Sequence, residues 1–131
     1  MRLLLDTHIW IWSVLQPERL GLRVTEALSD GNNDLWLSPI SVWELVYLVE
    51  KKRLDLDMPT EEWLHHAIRK LAVREAVVSY QVALGTESVE LPYRDPADRL
   101  LVATARVYGL TLVTADQRLI AVPDLSILPN R

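Results

Sequence analysis

Leu3-Leu4-Leu5-Asp6-Thr7 is a run of three leucines cut off by an acid and a hydroxyl. It reads as a short strand, buried along its length, running into a polar loop. A strand without polar alternation belongs in a parallel sheet whose two faces are both covered by helices. The rest of the chain repeats this pattern. Leu35-Trp36-Leu37, Ala76-Val77-Val78, Leu110 to Val113 and Leu125 to Leu128 are further strand-like runs, with helical spacing between them. His8 to Leu15 forms a helix stopped near Pro17, and Val24 to Leu28 continues helical spacing until Asp30-Gly31-Asn32-Asn33 breaks it. Ser38-Pro39 opens a helix with Val42, Leu45, Val46 and Val49 on one face. That helix ends at Lys51-Lys52-Arg53, where basic residues suit the negative end of its dipole. Thr60-Glu61-Glu62 starts another, through Leu71. Gln81 to Val89 is a short helix, Asp95-Pro96 caps one from Ala97 to Tyr108 stopped by Gly109, and a last short helix follows Asp116. Strands alternating with helices predict an α/β fold: a three-layer α/β/α sandwich with a central parallel sheet.

The composition sets limits on the function. A chain of 131 residues fits one domain, residues 1–131, able to bury roughly two-thirds of its unfolded surface. Acidic residues outnumber basic ones 18 to 14, a formal net charge of -4. That balance argues against a polybasic nucleic-acid binder, but not against an enzyme that meets phosphate through metal ions. The absence of cysteine excludes disulfides, thiolate catalysis and cysteine-based zinc sites. Of three histidines, His65 and His66 are adjacent, a poor spacing for zinc. No run approaches the ~20 apolar residues of a membrane span, and Asp6 interrupts the only stretch resembling a signal peptide. The expectation is a small cytoplasmic domain whose chemistry rests on carboxylates, hydroxyls and arginines.

Ligands of open parallel sheets bind beyond the carboxyl ends of the strands, and four acids fall there. Asp6 follows the first strand. Asp116 follows the fourth within two residues. Glu44 lies in the first turns of the helix after the second strand, and Asp98 in the first turn of the helix feeding the fourth. Carboxylates gathered without lysine or arginine between them repel one another, and a hard cation relieves that repulsion. Such a site can activate water and stabilise a leaving oxygen in phosphodiester cleavage. Thr7 and Thr114 stand beside two of the acids, where their hydroxyls can orient a carboxylate or a water on the ion. Each acid also has a plainer reading. Glu44 can close a capping box Ser41-Val42-Trp43-Glu44, Asp98 can complement the helix dipole, and Asp116 can be an ordinary cap. Asp6 is harder to dismiss, because an acid directly after a buried strand is costly without a partner.

Four stretches carry a resemblance. Leu3-Leu4-Leu5-Asp6-Thr7-His8, Ser41-Val42-Trp43-Glu44-Leu45, Leu91-Pro92-Tyr93-Arg94-Asp95-Pro96-Ala97-Asp98-Arg99-Leu100-Leu101 and Leu112-Val113-Thr114-Ala115-Asp116 occur in the order found in PIN-domain nucleases. Within that family the chain resembles the VapC-like toxins of bacterial toxin–antitoxin pairs. The resemblance implies a metal-dependent endoribonuclease, using Mg²⁺ or Mn²⁺ to cleave an RNA substrate and leave a 5′-phosphate and a 3′-hydroxyl. It further implies a homodimer held inactive by a cognate antitoxin protein. Asp6, Glu44, Asp98 and Asp116 match the acidic metal-site and catalytic positions, and Asp95 matches a further acid that supports them. Two residues depart from the pattern: Tyr93 stands where the subgroup often has histidine, and Ala97 where it often has phenylalanine. Arg94 and Arg99 flank the acidic loop as candidate bidentate hydrogen-bond donors to RNA phosphates, or as ion-pair partners of Asp95 or a neighbouring acid. Five tryptophans stand beside no phenylalanine, and core packing is the expectation for Trp36 and Trp43, while an exposed Trp10 or Trp12 would mark an interface.

Other acidic-pocket classes fit less well. A haloacid-dehalogenase-type phosphatase needs a second Asp two residues after the first, where this chain has His8. A receiver domain needs a lysine after a late strand, and the only lysines are Lys51, Lys52 and Lys70. A retaining glycosidase needs two carboxylates and gives no reason for four. The alternative that remains is a catalytically inactive PIN-like module binding a protein or RNA partner.

Overall fold

Successive side chains of a strand point to opposite faces of its sheet, so the leucines of the opening run divide between two cores. Leu3 and Leu5 join one apolar cluster and Leu4 the other, and all three are fully buried. The structure, a computed structural model, describes residues 1–131. Strands β1 (Arg2–Leu5), β2 (Asp34–Leu37), β3 (Arg74–Glu75), β4 (Thr111–Thr114) and β5 (Ile127–Pro129) lie in the order β3-β2-β1-β4-β5. Every neighbouring pair is parallel, with Leu3 opposite both Leu35 and Thr111. The helices are α1 (Thr7–Leu15), α2 (Leu22–Ser29), α3 (Pro39–Glu50), α4 (Thr60–Leu71), α5 (Tyr80–Gly85), α6 (Pro96–Tyr108) and α7 (Gln117–Ile120). Residues of α1 to α4 pack on one face through Ile9, Trp10, Val24, Leu45 and Trp63, with Trp10 and Trp63 edge to face at 5.4 Å. Residues of α5 to α7 cover the other through Val82, Leu101, Val102, Ala105 and Leu119. This is the three-layer α/β/α sandwich expected. No helix is long and apolar enough to cross a membrane.

The differences from the sequence reading have local causes. No polar loop follows β1: Asp6 is the single residue between strand and helix, because its carboxylate accepts the Thr7 N–H at 2.8 Å and caps α1 at once. The third strand is Arg74–Glu75 rather than Ala76 to Val78. It pairs only with β2, and an edge strand tolerates exposed charged residues, so an apolar run is the wrong signal there. Ala76 is buried in the second core instead, while Val77 is exposed. β4 and β5 begin one and two residues later than expected, and the segment from Gln81 to Val89 divides into α5 and a 3₁₀ turn at Thr86–Ser88.

The strand order places the site. From β1 the chain moves outward one way through β2 to β3, and later the other way from β4 to β5. The carboxyl ends of β1 and β4 are therefore neighbours at the point where the winding direction reverses, where open parallel sheets hold their ligands.

Candidate metal centre

At that point the backbone N–H of Asp6 donates to the Val113 carbonyl at 2.9 Å, which brings the end of β1 level with β4. Asp6 is held at both carboxylate oxygens. Oδ1 accepts the Thr7 N–H, and Oδ2 accepts the Thr114 hydroxyl at 2.6 Å. The same Thr114 Oγ1 accepts the Asp116 N–H at 3.0 Å, so one buried hydroxyl fixes both acids. Thr7, also buried, donates to Glu44 Oε1 at 2.6 Å, with Ser41 Oγ 2.8 Å away. Both threonines thus orient carboxylates, the first of the two roles open to them.

Glu44 does not close a capping box. The cap of α3 is Ser38, whose hydroxyl accepts the Ile40 N–H, which leaves Ser41 as a buried residue inside the helix. Glu44 reaches across to α1 instead. Asp95 caps α6 by accepting the Asp98 N–H at 3.1 Å. Asp98 itself accepts a hydrogen bond at Oδ2 from the Tyr93 hydroxyl at 2.8 Å, so the unusual Tyr93 is engaged with an acid of the site. Asp116 caps α7 by accepting the Arg118 N–H, as its plainer reading had it, and still faces the same cleft.

The acids meet in an open cleft of about 400 Å³ bordered by Asp6, Glu44, Asp95, Asp98, Asp116 and Arg118. The expectation of carboxylates without a cation among them is corrected here. Arg118 Nη2 donates to Asp116 Oδ2 at 2.9 Å, Nε donates to Oδ1 at 3.2 Å, and the guanidinium lies 4.0 Å from the Tyr93 ring centroid. Arg118 was not among the residues singled out from the sequence. The signal was an N-cap acid followed two residues later by arginine, a spacing that returns the side chain over its own cap. Arg94 and Arg99 do not border the cleft. Arg94 is exposed, and Arg99 donates to the Thr86 carbonyl at 2.6 Å, tying α6 to the preceding turn. Neither pairs with Asp95.

The electrostatics divide the acids into two kinds. Asp6 is raised above the ordinary carboxylate range, first by burial, and Glu44 likewise. Asp98 is pushed up to about 7, first by burial and then by the charges of Asp95, Asp6 and Asp116 against the lowering effect of the Tyr93 bond. Asp116 moves the other way, held down chiefly by its hydrogen bond from Arg118. Carboxylates driven toward protonation by burial and one another fit a hard divalent cation, which would restore their charged forms. No three acidic or histidine side chains converge on one point. Oxygen donors spread along open walls suit an ion that keeps waters and takes further oxygens from a substrate phosphate.

These shifts have a sign that can be checked without substrate. A carboxylate whose pKa is raised on folding stabilises the fold below its unfolded value and loses that contribution as pH rises through its folded value. For Asp98 the window runs from the ordinary 3.8 to about 7. The chelator-treated protein is therefore expected to melt several degrees higher at mildly acidic pH than at pH ~8. Asp98→Asn should stabilise the metal-free protein at the higher pH by about 1 kcal/mol, since partial exposure lets water screen most of the repulsion. It should also flatten the pH dependence. A fall in melting temperature in that variant at pH ~8 would contradict the clustered-carboxylate picture.

Comparison with known proteins gives consistent matches. The family model described as PIN domain matches residues 3–125. Ribonuclease VapC22 of Mycobacterium tuberculosis is 36% identical over 119 residues, covering 88% of each chain. Among solved structures, VapBC2 from Rickettsia felis bound to a DNA fragment from its promoter superposes with a TM-score of 0.76 at 19% identity, covering both chains fully (100%). FitAcB from Neisseria gonorrhoeae superposes with a TM-score of 0.62 at 26% identity, covering 96% of each.

Proposed function

The chain belongs to the PIN-domain family, and from that premise we propose that it is a metal-dependent endoribonuclease, the toxin of a toxin–antitoxin pair. In this reading it acts on cytoplasmic RNA as a homodimer and is silenced by a cognate antitoxin. The observation that carries the catalytic part is that acids from four separate segments line one cleft at the switch point of the sheet, two of them held by buried threonine hydroxyls. A fold alone needs no such arrangement. The similarity to a protein named as a ribonuclease supports the choice of substrate.

Asp6, Glu44, Asp98 and Asp116 would hold one or two Mg²⁺ or Mn²⁺ ions. When bound, these supply Lewis-acid polarisation of the phosphodiester and a water acidified toward neutral pH. The chain's own groups do the rest. Thr114 fixes Asp6 and the backbone of Asp116 together, so that both are presented from adjacent strand ends. Thr7 fixes Glu44 from the facing helix. Burial and the neighbouring Asp98 push the Tyr93 hydroxyl upward, so it keeps its proton and goes on donating to Asp98 Oδ2. Arg118 remains charged and gives the cleft a fixed cation, whose planar fork can leave Asp116 for a phosphate.

The alternative, a catalytically inactive module, is separated by calorimetry. Mn²⁺ titrated into metal-stripped protein is expected to bind, and Asp6→Asn to weaken that binding at least about tenfold. Absence of binding, or equal binding by both proteins, would favour the inactive module.

A further inference from the structure

Trp43, expected in the core, is 61% exposed, and Tyr47 is 42% exposed. They stand four residues apart on α3, one helical turn, with ring centroids 6.5 Å apart and planes tilted by 32°. Two large aromatics displayed together on a surface need an explanation that a single exposed one would not. Their surroundings supply it. Beside them runs a groove of about 340 Å³ bordered by His8, Glu44, Tyr47, Arg53 and Pro96. His8, Glu44 and Asp95 border both this groove and the carboxylate cleft, so the two are parts of one trough. Arg53 lines the groove as well, and Lys51 Nζ lies 5.8 Å from the Tyr47 ring centroid. The trough therefore carries aromatic faces beside acids, with the cations of Arg53 and Lys51 close to those faces.

That combination fits a single nucleic-acid strand. Every base has a π-face that stacks on aromatic side chains, and phosphates seek cations on either side of the base. We propose that Trp43 and Tyr47 are a stacking platform for an RNA base next to the scissile phosphate, with Lys51 and Arg53 receiving a neighbouring phosphate. The proposal rests on the nuclease reading above and adds to it a subsite. It gives the basic end of α3 a role beyond capping a helix dipole, and it makes the enzyme prefer unpaired RNA, since a stacked base must leave its duplex.

The test uses Asp98→Asn protein with Mn²⁺, so that RNA is bound without being cut. The probes are a fluorescent mixed-sequence RNA single strand of about a dozen nucleotides and a ribose-phosphate strand of equal length lacking bases, both followed by anisotropy. Trp43→Ala and Tyr47→Ala are each expected to weaken binding of the RNA about tenfold, and Trp43→Phe by no more than about threefold. Affinity for the abasic strand should be the same in all of them. Equal weakening on both strands would overturn the platform, because charge or fold would then be the cause. Unchanged RNA binding in Trp43→Ala would also overturn it. If the unsubstituted chain still cut RNA, the nuclease reading would stand. Should that same variant dissociate an assembly seen by light scattering, the aromatics anchor a protein instead. A parent chain that neither binds nor cuts RNA would remove both the platform and the nuclease reading.

Discussion

Asp6→Asn is expected to abolish RNA cleavage, lowering it about a thousandfold or more, while the metal-free protein remains folded. The loss follows from position. Asp6 sits where β1 and β4 end side by side, and both its oxygens are already oriented by Thr7 and Thr114. On the proposed mechanism, removing its charge would take a hard ligand from the ion and with it a contribution of several kcal/mol to transition-state stabilisation. The fold survives because asparagine retains an acceptor for the Thr7 N–H and remains a good N-cap. It also sheds a carboxylate that burial disfavours. Asp98→Asn should behave alike, with its Oδ1 still able to accept from Tyr93. Circular dichroism and a gel assay on total RNA, at saturating Mn²⁺, check the two halves together. Cleavage retained within about tenfold of the parent would exclude Asp6 from the catalytic centre.

Thr114→Val removes one oxygen atom and is expected to cost both stability and activity. The hydroxyl is fully buried, donates to Asp6 and accepts from the Asp116 backbone. Valine fills almost the same volume, so packing against β1 and β5 is kept and the change isolates the hydrogen bonds. Leaving a part-buried N–H and a carboxylate oxygen without this partner costs about 1–3 kcal/mol. Cleavage should fall about 10- to 100-fold, the usual effect of losing a group that orients a ligand. Thr114→Ser keeps the hydroxyl and should recover most of the activity. Denaturant unfolding and Mn²⁺ calorimetry on the same samples separate the two effects. A serine variant as impaired as the valine one would mean that the methyl group, not the hydrogen bonds, matters here.

The reading from residues reached the architecture because its signals are local. Leu3 to Leu5 form a strand buried on both faces, and Asp95-Pro96 and Gly109 bound a helix, whatever lies elsewhere in the chain. The exception was β3. Its exposed Arg74 and Glu75 pair with β2 through backbone alone, and backbone pairing leaves no apolar signature. The acids were found by their place at strand ends. Their plainer readings, however, could be weighed only once partners were known. Glu44 lost its capping role when Ser38 proved to be the cap, whereas Asp116 kept its own.

Local sequence signals were thus enough to place the strands and helices, to make the sheet parallel and covered on both faces, and to set acids at its carboxyl edge. These follow from hydrophobic period and capping, which act over a few residues. What those acids meet depended instead on how the elements pack together. That Thr7 on α1 holds Glu44 on α3, that Thr114 on β4 holds Asp6 after β1, and that Trp43 faces solvent beside the cleft all depend on contacts across the sheet order. Side chains tens of residues apart come within 3 Å only when the whole core has closed, and no local pattern encodes which of them will be neighbours.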